Sequence, residues 1–383
     1  MNSAFMEAAI SLNNDYVREW KEAGKKVVGY TCSYVPDELL YAAGILPYRV
    51  RGFGATEATI GDTYFGPFIC SLPKAMLQLA GEGRFDFLDG AIITPGCDSM
   101  RRLDECWRKA GEDISGILPK FFFHFGVPHK YADYTVKWFI EEILRLKADV
   151  ERHFGVSVSD DRLREAIRLF NKSRDLLERF DGFRTAGNPA IAGTEALAVI
   201  LAGTTMSRDI YVKLLEELLE TLEQSRGTLK DRTRLMLVGS ASDDVNLVRL
   251  IEGERAVVVA DNLCFGSRFH ADRVDETGDP IEALAKRYLA KNECPRMYGE
   301  YDGRLKMLID KADRANVDGV ILQNIRFCDL HGSENGLFER DLEKAGIPCL
   351  KIEREYGPLV ETGRLKMRVE AFLERIGQRR QSA

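Results

Sequence analysis

The chain reads as an α/β protein, with two tandem Rossmann- or flavodoxin-like domains on parallel sheets and a helical domain besides. Three observations predict this. Short apolar runs alternate with stretches of helical periodicity in both the first and the last third of the chain. The phrase Asp89-Gly90-Ala91-Ile92-Ile93-Thr94-Pro95-Gly96-Cys97-Asp98 returns about 230 residues later as Asp318-Gly319-Val320-Ile321-Leu322-Gln323-Asn324-Ile325-Arg326-Phe327-Cys328-Asp329. Between the two lies a region of long helical patterns with no convincing strand and no cysteine. The expected division is therefore 1–130 and 231–383 for the α/β domains and 131–230 for the helical domain or bridge. A chain of 383 residues is too long for a single core, which agrees.

Residues 3–24 carry Phe5, Ala8, Ile10, Leu12, Tyr16 and Trp20 at helical spacing and stop at Gly24, so one helix is expected. A strand at 26–31 leads straight to Cys32. Pro36, Asp37 and Glu38 then open a short helix that closes at Gly44, and 45–50 is the next strand. Cys70 precedes a helical run through Ala75, Leu77 and Leu79, a position where the helix dipole favours thiolate. The strand ending near Thr94 leads to Cys97 and an amphipathic helix bearing Arg101, Arg102 and Cys106. A strand at 120–125 runs out to Gly126-Val127-Pro128.

Four helices are expected at 136–154, 160–180, 190–202 and 209–226. Strand character resumes at 233–238, and a helix through Val245 to Ile251 precedes a strand at 256–260, beyond which lies Cys264. A helix at 280–289 precedes Cys294, and the strand that begins at Gly319 precedes Cys328. Gly346-Ile347-Pro348 answers the earlier Gly-Val-Pro, and a last helix runs through Leu365 to Ile376.

Hydrophobic residues make up 45% and charged residues 30% of the chain, as in ordinary globular proteins. A net charge of −6 without basic runs gives no nucleic-acid footprint. There is no apolar stretch long enough to span a bilayer and no basic-then-apolar leader, so a cytoplasmic protein that engages no membrane is expected. In that compartment the eight cysteines are not a disulfide framework. No two are spaced Cys-x-x-Cys, which disfavours zinc ribbons, thioredoxin-like sites and ferredoxin-type runs.

Six cysteines fall on loops after strands or at helix starts: Cys32, Cys70, Cys97, Cys264, Cys294 and Cys328. Those are the positions where open α/β sheets bind ligands. Free cysteine is also among the most buried residue types, which is the competing explanation. Thiolates gathered from loops without hard partners select iron–sulfur clusters or zinc. Three per half are too few for closed four-cysteine zinc sites and suit cubanes that each lack one protein ligand. Cys349, within an apolar strand, reads as core, and Cys106, on a helix, is set aside. Glu38 and Arg102 are the candidate catalytic residues, as an acid/base group and a cation beside the thiols; helix capping and a solvated helix face account for them equally. Gly239-Ser240-Ala241-Ser242-Asp243 is a weak candidate for phosphate at a helix start. The five histidines show no metal-ligand spacing, and no P-loop pattern occurs.

Val28-Gly29-Tyr30-Thr31-Cys32-Ser33-Tyr34-Val35-Pro36-Asp37-Glu38-Leu39, Cys97-Asp98-Ser99-Met100-Arg101-Arg102 and Arg326-Phe327-Cys328-Asp329 resemble, in order and spacing, the 2-hydroxyacyl-CoA dehydratase and benzoyl-CoA reductase subunit family. The resemblance covers nearly the whole chain. It implies low-potential iron–sulfur clusters, a helical plus two α/β domain build, and electrons supplied by a separate ATP-hydrolysing iron–sulfur activator, in keeping with the missing P-loop. Cys32, Cys97 and Cys328 match the ligand positions of dehydratase subunits. Cys264 and Cys294 look like the branch holding a double cubane, two four-iron units bridged by sulfide. Two functions follow as expectations: a homodimeric reductase of a small, hard-to-reduce molecule, or one subunit of a heterodimeric 2-hydroxyacyl-CoA dehydratase with a single 4Fe-4S cluster, removing water through a ketyl radical.

Overall fold

The computed structural model describes residues 3–359 and 362–382. The first α/β part contains α1 (Ser3–Ile10), α2 (Asp15–Glu22), β1 (Val27–Tyr30), α3 (Asp37–Ala42), β2 (Leu46–Arg49), α4 (Thr59–Tyr64), α5 (Ser71–Gly81), β3 (Gly90–Ile93), α6 (Asp98–Asp113) and β4 (Phe121–His124). Four helices follow: α7 (Asp133–Phe154), α8 (Asp160–Thr185), α9 (Gly193–Ala202) and α10 (Arg208–Glu223). The second part contains β5 (Thr233–Gly239), α11 (Val245–Glu252), β6 (Ala256–Asn262), α12 (Pro280–Leu289), α13 (Tyr301–Arg314), β7 (Gly319–Ile325), α14 (Asp329–Lys344), β8 (Cys349–Arg354) and α15 (Thr362–Ser382).

Both sheets are parallel and have the same order, β2-β1-β3-β4 and β6-β5-β7-β8, as the two-domain α/β reading requires. The repeated Asp-Gly does the same work in each. The Asp89 carboxylate accepts the N–H of Val27 at 2.9 Å, and that of Asp318 accepts the N–H of Arg234 at 2.7 Å, so each aspartate pins the start of the neighbouring central strand. A Cβ on Gly90 would lie 2.8 Å from Phe121, and one on Gly319 would lie 2.7 Å from Phe372 and Ile376. Only glycine fits that close approach.

Two expectations need correction. Residues 3–24 form two helices because Asn14, buried, caps α2 by accepting the N–H of Val17 and is held by Thr205. A short polar amide competes with helix continuation and wins at a cap. Helices α4 and α13 go beyond the expected elements, although Leu305, Leu308 and Ala312 carry the right period for the second. The core does not stop at the boundary between sheets: Leu46, Leu77 and Ile93 belong to the same buried cluster as Leu237, Val258 and Ile321. No helix among the described residues is long and apolar enough to cross a membrane.

Candidate functional site

The order in which the strands lie puts the crevice of each sheet at the carboxyl ends of its central strands. Cys32 follows β1, Cys97 follows β3, Cys264 follows β6 and Cys328 follows β7, while Cys294 lies in the turn between α12 and α13. Cys32, Cys264 and Cys294 line one cavity of about 110 Å3, against roughly 10–15 Å3 needed to hold one water. Cys70, Cys97 and Cys328 are instead the N-cap residues of α5, α6 and α14. A Cβ on Gly96, next to Cys97, would lie 3.6 Å from the Cys32 Sγ, which puts the two groups side by side. Three thiols per half is the sequence expectation; each observed group draws on both sheets.

Four cations line the cavity: Arg49, Arg268, Lys291 and Arg296. Arg49 ends β2 fully buried; its Nη1 donates to the Cys264 carbonyl at 2.6 Å and its Nη2 approaches the Cys264 Sγ at 3.5 Å. The guanidinium lies 4.1 Å from the centre of the Phe265 ring. Arg296 donates to the Val127 and Pro128 carbonyls, both at 2.9 Å, and Arg268 to that of Gly239 at 2.7 Å. Lys291 Nζ donates to the Ser33 carbonyl at 2.9 Å.

The thiols feel one another. Burial raises the pKa of Cys32, and Cys294 adds to this while Arg296 and Arg49 oppose it. Burial drives Cys97 well up, reinforced by Cys70, Cys328 and Cys32 and opposed by the Met100 N–H. Cys328 is pushed up to about 12 by burial, the His331 N–H opposing and Cys70, Cys294 and Cys264 adding. Burial also raises Cys70, against the Ser99 hydroxyl and the Leu72 N–H. None of the three N-cap thiols makes a full capping hydrogen bond, yet these helix-end N–H groups favour the anion.

Among the described residues, no three His, Cys, Asp or Glu side chains gather tightly enough to hold one metal ion. Thiolates around a cubane each bind a different iron and so stand farther apart than ligands of a single ion. Soft donors from loops and helix ends, flanked by buried cations, fit such an anionic group and do not fit a hard cation.

Glu38 and Arg102 lie elsewhere. Glu38 is fully buried and accepts from Arg174 Nη2 at 2.5 Å and from the Tyr288 hydroxyl at 2.8 Å. Burial would raise its pKa, but Arg174 and Arg287 hold it below the usual glutamate value. Arg102 is half exposed on α6 and pairs with Glu105 at 2.6 Å. Neither lines the thiol cavity. Cys349 is core, 4% exposed, and the Cys106 thiol donates to the Tyr64 carbonyl at 3.3 Å. In the 239–243 loop, Ser240 Oγ accepts the Ile325 N–H at 2.7 Å and Asp243 accepts from the Tyr356 hydroxyl at 2.6 Å, so these groups knit β5 to its neighbours. The cavity cations escaped sequence reasoning, although Lys291 and Arg296 flank Cys294 and Arg49 is a lone charge at a strand end. His331, one of the histidines without metal-ligand spacing, lines the cavity, with burial holding its pKa well below the usual histidine value.

Twin parallel sheets that bring cysteines to their strand ends define a class of thiol-bearing α/β subunit. The model of one family, described as 2-hydroxyglutaryl-CoA dehydratase, D-component, matches residues 32–376, and the chain belongs to that family. It is 28% identical to a subunit of the benzoyl-CoA reductase of Thauera aromatica, over 82% of this chain and 81% of the relative. It is 25% identical to the (R)-phenyllactyl-CoA dehydratase beta subunit of Clostridium sporogenes, over 88% and 89% respectively. It is also 25% identical to the beta subunit of the (R)-2-hydroxyglutaryl-CoA dehydratase of Acidaminococcus fermentans, over 94% of each.

Proposed function

We propose that this protein is a cytoplasmic iron–sulfur reductase. In this reading Cys32, Cys70, Cys97, Cys264, Cys294 and Cys328 hold a double cubane, and an ATP-hydrolysing iron–sulfur activator supplies electrons at low potential. The substrate is a small molecule that is hard to reduce, the working unit is a homodimer, and neither nucleic acid nor membrane takes part. The observation that carries the reading is the pair of adjacent thiol groups, each drawn from both sheets, with four cations around one of them. When bound, a cluster of this kind supplies single electrons at low potential. The chain's own residues do the rest. Arg49, Arg268, Arg296 and Lys291 balance negative charge in a low-dielectric cavity, and Tyr34, Phe265 and Leu72 line the same cavity with carbon.

The second reading, a subunit of a 2-hydroxyacyl-CoA dehydratase with one four-iron cluster on Cys32, Cys97 and Cys328, is favoured by the dehydratase beta subunits among the relatives. Glu38 and Arg102 keep a proposed acid/base and charge role in either case. Iron and acid-labile sulfide per chain in anaerobically purified protein decide between the two: about eight iron atoms for two cubanes, about four for one.

A further inference from the structure

A second, smaller cavity of about 10 Å3 lies behind the first and shares the walls formed by Ser33 and Lys291. Three buried polar atoms of its lining residues have no partner: Asp37 Oδ1, Arg208 Nε and His270 Nδ1. Acceptor and donor atoms left unpaired around a water-sized space are what a buried water satisfies. His270 Nε2 in turn meets Asp181 Oδ2 at 3.2 Å, and the Asp181 side chain is 32% exposed. The Asp181 carboxylate, which His270 and Arg184 hold ionised far below the usual carboxylate range despite burial, thus orients the His270 ring on the wall of the small cavity that Asp37 and Lys291 also line.

We propose that these groups form a proton relay, in which Asp37 and Lys291 pass protons through a cavity water into the thiol-lined cavity. The inference rests on the reductive reading, because each electron that enters a substrate from a low-potential donor calls for one proton. The N–H bond of the Lys291 ammonium breaks as the substrate–H bond forms. The Asp37 carboxyl then gives its proton, through the water, to the amine, and the carboxylate is refilled from the His270 side.

The electrostatic setting supports this order. Burial and the neighbouring Glu38 raise Asp37 to about 6, against Arg208, the Tyr30 hydroxyl and Lys291. Burial lowers Lys291 well below the usual lysine value, helped by Arg287 and Arg174 and opposed by Asp37 and Glu38. The Tyr30 hydroxyl donates to Asp37 Oδ2 at 3.0 Å, and the Tyr288 hydroxyl accepts the Asp37 N–H at 3.3 Å, so the carboxyl is held in place on both sides.

The test uses the full chain loaded anaerobically with iron and sulfide, and reads the reduction potential of the bound centre between about pH 5 and pH 8. In wild type the potential falls as pH rises, because reduction draws in a proton. Asp37→Asn and Lys291→Met flatten that slope, and iron content stays the same in Asp37→Asn, whose side chain lies outside the thiol cavity. Lys291→Arg, which keeps the charge but holds its proton, is flat as well. Slopes equal to wild type in all three variants overturn the relay. Infrared difference spectra of the iron-free chain across the same pH range should show a carboxyl band that titrates near 6 and is missing from Asp37→Asn; a band titrating at an ordinary aspartate value also overturns it. A wild-type chain that takes up no iron defeats the iron–sulfur reading alone, and the infrared band then decides the relay.

Discussion

The two thiol groups are neutralised in different ways. Cys32, Cys264 and Cys294 sit in irregular loops among side-chain cations, whereas Cys70, Cys97 and Cys328 stand at helix N-termini, where backbone N–H groups and a serine hydroxyl favour the anion and the neighbouring thiols disfavour it. Side-chain charge is large and strong at short range in a low dielectric, while a helix end supplies only a partial charge. The difference teaches that one group is tuned by replaceable residues and the other by the fold itself.

The largest expected effect tests whether the groups are one centre or two. In the double-cubane reading, Cys264→Ser loses about half the iron or all of it, because a hard hydroxyl replaces a soft thiolate. Iron analysis and the electron paramagnetic resonance signal of the reduced variant check this. An unchanged cluster in Cys264→Ser and in Cys294→Ser, with loss in Cys97→Ser, would leave Cys32, Cys97 and Cys328 to hold one cluster, as in the dehydratase reading.

Next in size is removal of the buried charge at Arg49. Arg49→Met should lower the reduction potential on the order of 60 mV, a tenfold change in a one-electron equilibrium, while the paired helix-end change Ser99→Ala shifts it far less. Redox titration distinguishes them, and equal shifts would erase the contrast between side-chain and backbone neutralisation.

A smaller effect concerns the adjacent acids behind the cavity, which titrate in opposite directions. Asp37 is raised to about 6, so its contribution to stability is present below the unfolded aspartate value near 4 and is lost as pH rises through 6. Glu38 is lowered, so its contribution is present above the unfolded glutamate value and lost as pH falls through the folded one. Asp37→Asn should therefore stabilise the fold at neutral pH by on the order of 2 kcal/mol and have little effect in acid. Glu38→Gln should destabilise at neutral pH and converge on wild type in acid. Denaturant melts at several pH values read both signs. The smallest effect belongs to Arg102→Ala, within about 0.5 kcal/mol of wild type in the same melts, since its ion pair is half exposed; turnover equal to wild type in that variant would end the charge role proposed for Arg102.

Much of the architecture is legible in the sequence because it rests on local pattern. The eight strands among the described residues are short apolar runs bounded by polar turns, and the repeated Asp-Gly marks the same structural position in both sheets. The placement of five cysteines past strands or at helix starts is also readable, since sheet geometry fixes where such loops converge; Cys294 departs from it, lying in the turn that joins α12 to α13. The break at Asn14 is not, because its deciding partner, Thr205, lies far along the chain. The grouping of thiols across the halves, and the approach of Arg49 to Cys264, depend on how the two sheets meet, which no local period encodes.

The shared core described for the fold bears on electron transfer. Because Leu46 and Ile93 from one sheet pack in the same buried cluster as Leu237 and Ile321 from the other, thiols contributed by opposite sheets are spaced by close-packed side chains and not by a hinge. A centre held across that seam would change oxidation state with little movement of its protein ligands. Its inner-sphere reorganisation energy would be small, so electrons would enter and leave it quickly even when the driving force is slight.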